Sequence, residues 1–148
     1  MKNPENEIIE YFIDACKKEL GENLVSIVSF GSFPKGTATS SSDMDFLIVV
    51  NEKISDHLMK TIRKDVIFKF NKKIDTVSMT ERDVIDNFKS FSPLFCSFIL
   101  GIKILHDRDG FFKEQFKNFI NELRKTNIKY CEKNKIWDLR EISSRISL

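Results

Sequence analysis

The sequence is poor in the residues on which disulfide-bonded and zinc-stabilised domains depend. It contains 3 cysteines, 2 histidines, 3 prolines and 5 glycines among 148 residues. Cys16, Cys96 and Cys131 lie far apart, form no CxxC pair and have no zinc-ligand spacing to His57 or His106. We therefore expect buried free thiols in a reducing compartment, and neither histidine is assigned a role.

Long apolar runs and a strong excess of one charge are also missing. No segment approaches the ~20 apolar residues that span a bilayer, and the polar, acidic start MKNPENEIIEYF does not resemble a signal peptide. With 24 basic and 22 acidic residues the formal net charge is +2, which gives no case for broad nucleic-acid binding. We expect a soluble, cytoplasmic protein, long enough for one domain with its own core.

Hydrophobic patterning predicts an α/β domain of the α+β type with a mixed sheet. Apolar residues recur at helical spacing over 5–20, before Gly21, and over 55–70, after Ser55. The other predicted elements are strands at 24–30, 44–50, 74–79 and 103–107, and helices after Thr80, after Ser92-Pro93 and over 111–125. The link between the first two strands is short, which favours antiparallel pairing. We expect the main domain at 1–126 and a helical tail at 127–148, packed on the domain or used for partner contact.

Two aspartates stand at the start of the predicted strand MDFLIVV. Asp43 and Asp45 are two residues apart, so in a strand their carboxylates share one face. Like charges held close repel each other and raise each other's pKa unless a cation lies between them. Carboxylate oxygens favour Mg²⁺ or Mn²⁺ as that cation. An EF-hand does not fit, because apolar residues follow Asp45 where further oxygen ligands are needed.

The loop before these aspartates, in the stretch GSFPKGTATSSSDMD, has the composition of a phosphate-binding turn. Gly31 and Gly36 permit unusual backbone angles, Ser32 supplies a hydroxyl and an N–H, and Lys35 supplies a cation. A Walker P-loop is excluded, because no GxxxxGK[ST] sequence is present. A lysine that is merely solvated remains the alternative for Lys35.

A third carboxylate would complete this chemistry. Asp75 opens the predicted strand IDTVSM, and if that strand lies beside 44–50 its side chain reaches the aspartate pair. It would then ligate a metal ion or accept a proton from an attacking hydroxyl. A strand-start aspartate that only caps a turn is the alternative. A sugar-nucleotide transferase that uses Asp-x-Asp with Mn²⁺ also remains open.

Gly31-Ser32, ten residues, Asp43-x-Asp45 and a later strand-borne Asp75 resemble the DNA polymerase β-type nucleotidyltransferase superfamily. More narrowly, the spacing resembles the minimal nucleotidyltransferase (MNT) group, over residues 24–80. The resemblance implies a nucleotidyltransferase fold at 1–126, with Mg²⁺ or Mn²⁺ as cofactor and a nucleoside triphosphate as substrate. Catalytic and metal-binding residues would be Asp43, Asp45 and Asp75; nucleotide-binding residues would be Gly31, Ser32, Lys35 and Ser42. Lys35 departs from the arginine of GSxARG loops, so it keeps the charge but loses the bidentate fork.

The implied activity is transfer of a nucleoside monophosphate, AMP from ATP, to a hydroxyl group with release of pyrophosphate. MNT proteins are often paired with a HEPN partner, and some are antitoxins that adenylylate a tyrosine on it, so we expect a HEPN-type protein as acceptor. Two alternatives stay open: a small-molecule acceptor such as an aminoglycoside, and a non-catalytic antitoxin that neutralises its partner by contact. A homo-oligomer is also left open.

Overall fold

The structure, a computed structural model, describes residues 3–39 and 42–146. The helices are α1 (Pro4–Leu20), α2 (Ser32–Lys35), α3 (Asp56–Phe70), α4 (Glu81–Lys89), α5 (Pro93–Ser97), α6 (Phe111–Leu123) and α7 (Leu139–Ser144). The strands are β1 (Leu24–Phe30), β2 (Met44–Val50), β3 (Ile74–Thr80), β4 (Lys103–Asp107), β5 (Lys129–Glu132) and β6 (Lys135–Asp138). None of the helices within the described ranges is long and apolar enough to cross a membrane.

Local capping explains where several helices begin and end. The Ser55 side chain accepts a hydrogen bond from the Leu58 N–H at 3.2 Å, which starts α3 as predicted. Thr80 and Asp83 form a reciprocal capping box at the start of α4. Ser92 occupies the N-cap position of α5, but its side chain makes no capping hydrogen bond, so Pro93 is what marks this helix start.

The main sheet has the strand order β3-β2-β1-β4. β1 pairs antiparallel with both β2 and β4. β2 pairs parallel with β3, and α3 forms the crossover that a parallel pair requires. The predicted mixed sheet and the antiparallel first pair are therefore confirmed.

β2 lies inside the sheet and is buried on both faces, which its unbroken apolar sequence predicts. Met44, Phe46, Ile48 and Val50 belong to a core with α1 and α3 on one face. Leu47 and Val49 belong to a second core, on the opposite face, with α4, α5, α6 and α7. Helices therefore cover both faces of the sheet.

The C-terminal segment differs from the helical tail expected at 127–148. It forms an antiparallel hairpin, β5–β6, before the short helix α7, and its last two residues lie outside the described ranges. Alternation in KYCE and KIWD favours strands, since Tyr130 and Trp137 share one face, with ring centroids 6.0 Å apart. Both rings, with the fully buried Leu139, pack against the core of α4 to α7. The segment is thus attached to the domain.

The cysteines are free thiols, as expected, but they are not all buried. Cys16 and Cys96 are buried, whereas Cys131 on β5 is exposed. Exposed and half-buried residues alternate along β5, and Cys131 lies at an exposed position, so the prediction of burial is wrong for this residue.

Candidate active site

The parallel pairing of β2 and β3 brings two of the predicted carboxylates together. Asp45 lies opposite Asp75 in the register, and Met44 lies opposite Ile74. Because side chains alternate along both strands, Asp45 and Asp75 point to the same face of the sheet. The position expected for Asp75 beside the aspartate pair is confirmed.

Gly31 places the loop backbone directly against Asp45. β1 ends at Phe30, which pairs with Asp45 across the antiparallel ladder. Gly31 then takes a φ of 83°, a left-handed angle that glycine adopts readily. A Cβ at this position would collide with Asp45 Oδ2. Glycine is therefore required here for two independent reasons.

The predicted phosphate loop is a closed turn. α2 is a single turn that ends at Gly36, whose φ is 77°. The Gly36 N–H donates to the Phe33 carbonyl at 3.1 Å, and the Thr37 N–H donates to the Ser32 carbonyl at 3.0 Å. These bonds hold the backbone of the loop in one shape.

Ser42 lies at the other end of the same loop, directly before Asp43. Its hydroxyl accepts a hydrogen bond from the Thr39 N–H at 2.8 Å. Ser42 and Asp43 lead the chain into β2. The contact gives Ser42 a structural task, and its role in nucleotide binding stays a prediction.

Asp43 has a cationic neighbour that the motif does not include. Lys73 Nζ lies 3.4 Å from Asp43 Oδ2, and the Met44 N–H donates to the Lys73 carbonyl at 3.2 Å. Asp43 and Lys73 each precede a strand of the parallel pair, so the register that joins Met44 to Ile74 also brings them together. The sequence could reveal this neighbour only once that register was known.

Lys35 also has a partner that sequence reasoning missed. Its ammonium lies 3.2 Å from Glu132 Oε2 on the C-terminal hairpin. The Lys35 side chain is 17% exposed, so it is not the solvated loop lysine of the alternative interpretation. Nothing near residue 35 in the sequence indicates a partner 97 positions away.

The nearby lysines do not fully offset the effects of burial and of the neighbouring carboxylates on Asp45. Burial raises the pKa of the Asp45 carboxyl above its usual value, and the negative charges of Asp75 and Asp43 raise it further. The cations Lys35 and Lys73 act in the opposite direction, and the net shift remains upward. A bound cation would relieve this repulsion.

The donor set fits a hard divalent cation. Carboxylate oxygens carried on neighbouring strands are the ligands that Mg²⁺ and Mn²⁺ prefer. Burial first, and then the neighbouring carboxylates, raise the pKa of Asp45, and a cation bound there would lower it. Within residues 3–39 and 42–146, no group of three or more histidine, cysteine, aspartate or glutamate side chains is arranged so that it could hold a metal ion in the free protein.

The HDRDG turn is structural. Asp107 ends β4 and accepts a hydrogen bond from the Ser26 hydroxyl at 2.7 Å. It also accepts bonds from the N–H groups of Phe112 and Lys113, at 2.8 and 2.9 Å, and so caps the start of α6. This stretch is therefore a turn before a helix.

Known proteins are similar to this chain at the level of a domain family. A family model described as "Nucleotidyltransferase domain" matches residues 9–106, more than half of the chain. The matched range contains every residue predicted for the site and excludes Glu132. A protein of Methanocaldococcus jannaschii named "Putative protein adenylyltransferase MJ1305" is 29% identical over 142 residues, which cover 93% of this chain and 95% of the relative.

Solved structures with the same fold include toxin–antitoxin complexes. A toxin–antitoxin crystal structure with AMP-PNP aligns at a TM-score of 0.57 and 16% identity, over 79% of this chain and 87% of that one. The MNT antitoxin complex of a tri-AMPylated Shewanella oneidensis HEPN toxin gives 0.55 and 13%, over 82% and 87%. Spectinomycin adenyltransferase AAD(9) of Enterococcus faecialis, with ATP and spectinomycin, gives 0.56 and 15%, over 82% and 68%. At these identities the likeness shows the fold.

Proposed function

The chain belongs to the nucleotidyltransferase domain family, and from this premise we propose that this nucleotidyltransferase moves AMP from ATP to a hydroxyl group of a protein partner. The observation that carries the proposal is the register that sets Asp45 opposite Asp75, with Gly31 against Asp45. That arrangement supports a nucleotide site, because it sets a glycine backbone next to two carboxylates. ATP as donor fits the cytoplasmic location expected from the sequence.

In this proposal the loop binds the triphosphate and the aspartates bind the metal ion. Gly31, Ser32 and Lys35, with Ser42 at the far end of the loop, hold the triphosphate, because the turn offers N–H groups and one cation. Asp43, Asp45 and Asp75 hold Mg²⁺ or Mn²⁺, which when bound polarises phosphate oxygens and offsets the charge that develops on pyrophosphate. Lys73 keeps the Asp43 carboxylate oriented in the free protein.

The transfer step makes one bond and breaks one. The acceptor oxygen attacks the α-phosphorus of ATP, and a new oxygen–phosphorus bond forms. The bond between the α-phosphorus and the bridging oxygen breaks, and its electron pair leaves with pyrophosphate. Asp75 takes the hydroxyl proton, because it is the most exposed of the three carboxylates and therefore the one an acceptor can reach.

A protein acceptor is favoured over a small molecule by the share of each relative's length that this chain matches. The relative named as a protein adenylyltransferase is matched over nearly its whole length, 95%. The spectinomycin enzyme is matched over 68% of its chain, so a third of it has no counterpart here. The structures of MNT antitoxins with HEPN toxins support a HEPN-type protein as the partner. Aminoglycoside transfer is the second candidate, favoured only by the shared fold.

The experiment combines the chain, a co-encoded HEPN-type protein, Mg²⁺ and ATP labelled at the α-phosphate. We expect the label on the partner protein, and we expect Asp43→Asn and Asp45→Asn each to abolish it. Persistent labelling in both variants would overturn the site assignment. Label on spectinomycin or another aminoglycoside, with none on the protein, would establish the second candidate. If the variants that no longer label the partner still neutralise it fully, neutralisation proceeds by contact and not by nucleotidyl transfer.

A further inference from the structure

The β5–β6 hairpin lies outside the residues that match the family and yet contacts the predicted phosphate loop. Glu132 is the last residue of β5, and its Oε2 lies 3.2 Å from Lys35 Nζ. The hairpin is not a loose appendage, because Tyr130 and Trp137 pack against the core of α4 to α7. Glu132 is therefore presented to Lys35 from an anchored element.

The stem of Lys35 is fixed as well as its charged end. A methyl group added at Gly101 would lie 3.5 Å from Lys35 Cγ and 3.4 Å from the Pro34 carbonyl oxygen, so the Gly101 backbone lies against the lysine stem. The side chain is 17% exposed and that of Glu132 is 34% exposed. With stem and head both held, little freedom remains to this lysine.

The direction of the ammonium matters for the site. Lys35 follows Gly31 and Ser32 within the same turn, and its charge reaches the Asp45 carboxyl. A lysine, unlike an arginine, has no planar fork to orient it, and its free side chain carries roughly 2 kcal/mol of rotamer entropy. Orientation before the phosphates arrive lowers the entropy that ATP binding must overcome.

We propose that Glu132 is a positioning residue for nucleotide binding. The Glu132 carboxylate accepts a hydrogen bond from one of the three N–H groups of the Lys35 ammonium. The other two N–H groups remain for phosphate oxygens. This inference rests on the proposed function, because it assigns the phosphates of ATP to Lys35. It adds a residue that lies outside the family match and that comes from the C-terminal hairpin. In the competing model the Glu132 carboxylate keeps the Lys35 ammonium from phosphate and repels the phosphate charge, so it weakens ATP binding.

The test measures the Kd for ATP with a fluorescent ATP analogue, in the absence of acceptor, and then KM and kcat with the protein acceptor. We expect Glu132→Ala to raise both Kd and KM by about two- to fivefold, the size of one partly exposed ion pair, with kcat nearly unchanged. Glu132→Gln keeps the shape and an acceptor oxygen and should lie between wild type and Glu132→Ala. In a Lys35→Met background, Glu132→Ala should have no further effect.

Glu122→Ala is the matched control, because it removes a carboxylate that also pairs with a lysine. Glu122 is on α6, outside the loop and the hairpin, and its partner is Lys125. The substitution should leave Kd and KM unchanged. Unchanged or tighter ATP binding in both Glu132 variants would overturn the inference, and tighter binding would support the competing model. If Glu132 variants behave as wild type while Asp45→Asn abolishes labelling, the proposed function stands and this inference fails. If wild type binds no ATP, both fail.

Discussion

Asp45 and Asp75 lie opposite each other on neighbouring parallel strands, although about 30 residues separate them in the sequence. The helix α3 closes that gap by crossing over the sheet. Asp45 is half-buried between the loop at Gly31 and this second carboxylate, and burial is the largest cause of its raised pKa. The pair is therefore costly in the free protein, which is the usual condition of a site built to bind a cation.

Asp45→Asn should separate stability from activity. The substitution removes a charge that burial, Asp75 and Asp43 disfavour, so we expect an equal or higher thermal midpoint at pH 7. Nucleotidyl transfer should fall below detection, a loss of about 10²-fold or more, because one charge at the reacting phosphates is lost. Calorimetry and the labelling assay measure the two effects. Asp14→Asn, at an exposed position on α1, is the control and should alter neither; a clearly lower midpoint for Asp45→Asn would contradict the account of its charge.

Gly31→Ala should damage both folding and activity. The alanine methyl would collide with Asp45 Oδ2, and the backbone would keep a φ of 83°. Gly21 also has a positive φ, 54°, but nothing lies within 4 Å of a Cβ there. We expect Gly21→Ala to cost about 1–3 kcal/mol of unfolding free energy, the penalty of its unusual backbone angles alone, and Gly31→Ala to cost more. Denaturant unfolding measures the difference, and equal losses would show that the contact with Asp45 is unimportant.

The three thiols should differ in reactivity. Burial raises the pKa of Cys16 to about 12 and also raises the pKa of Cys96, so little thiolate forms at either residue near pH 8. Cys131 is exposed on the hairpin. Brief alkylation of the native protein with iodoacetamide, followed by peptide mass spectrometry, should modify Cys131 alone, whereas denatured protein should react at all three. Native labelling of Cys16 would contradict the burial described for α1.

His106 should make the protein less stable in mild acid. Burial lowers its pKa, and Lys17 and Arg108 lower it further against the opposing effect of Asp107. The unfolded chain therefore binds this proton more readily, and the stability present at neutral pH is lost as the pH falls below about 6.5. Thermal midpoints between pH 7 and pH 5 should drop more for wild type than for His106→Gln. Parallel curves for the two proteins would contradict this role.

Much of the site could be predicted because its residues lie beside strong strand patterns. The runs LVSIVSF, MDFLIVV and IDTVSM are apolar or alternating, so they fix the ends at which Gly31, Asp45 and Asp75 stand. Helical spacing and caps likewise predict α1, α3, α4 and α6. These features depend on short stretches of sequence.

Lys73 and Glu132 could not be predicted in the same way, because tertiary pairing decides their partners. Lys73 meets Asp43 only through the parallel register, and Glu132 meets Lys35 only because the hairpin packs on α5 and the core. The hairpin itself was missed, since scattered apolar residues in a charged segment suit a short helix as well as two short strands. The pairing of elements that are distant in the sequence could not be read from the local patterns around Lys73 and Glu132.

The most direct test of nucleotidyl transfer follows the two ends of ATP in one reaction. Wild-type chain, Mg²⁺ and the HEPN-type acceptor are incubated with ATP labelled at the α-phosphate or, in parallel, at the γ-phosphate. We expect α-label on the acceptor, γ-label in pyrophosphate in equal amount, and neither product with Asp75→Asn, although that variant should still bind ATP. Label from the γ-phosphate on the acceptor, or full transfer by Asp75→Asn, would contradict the proposed transfer.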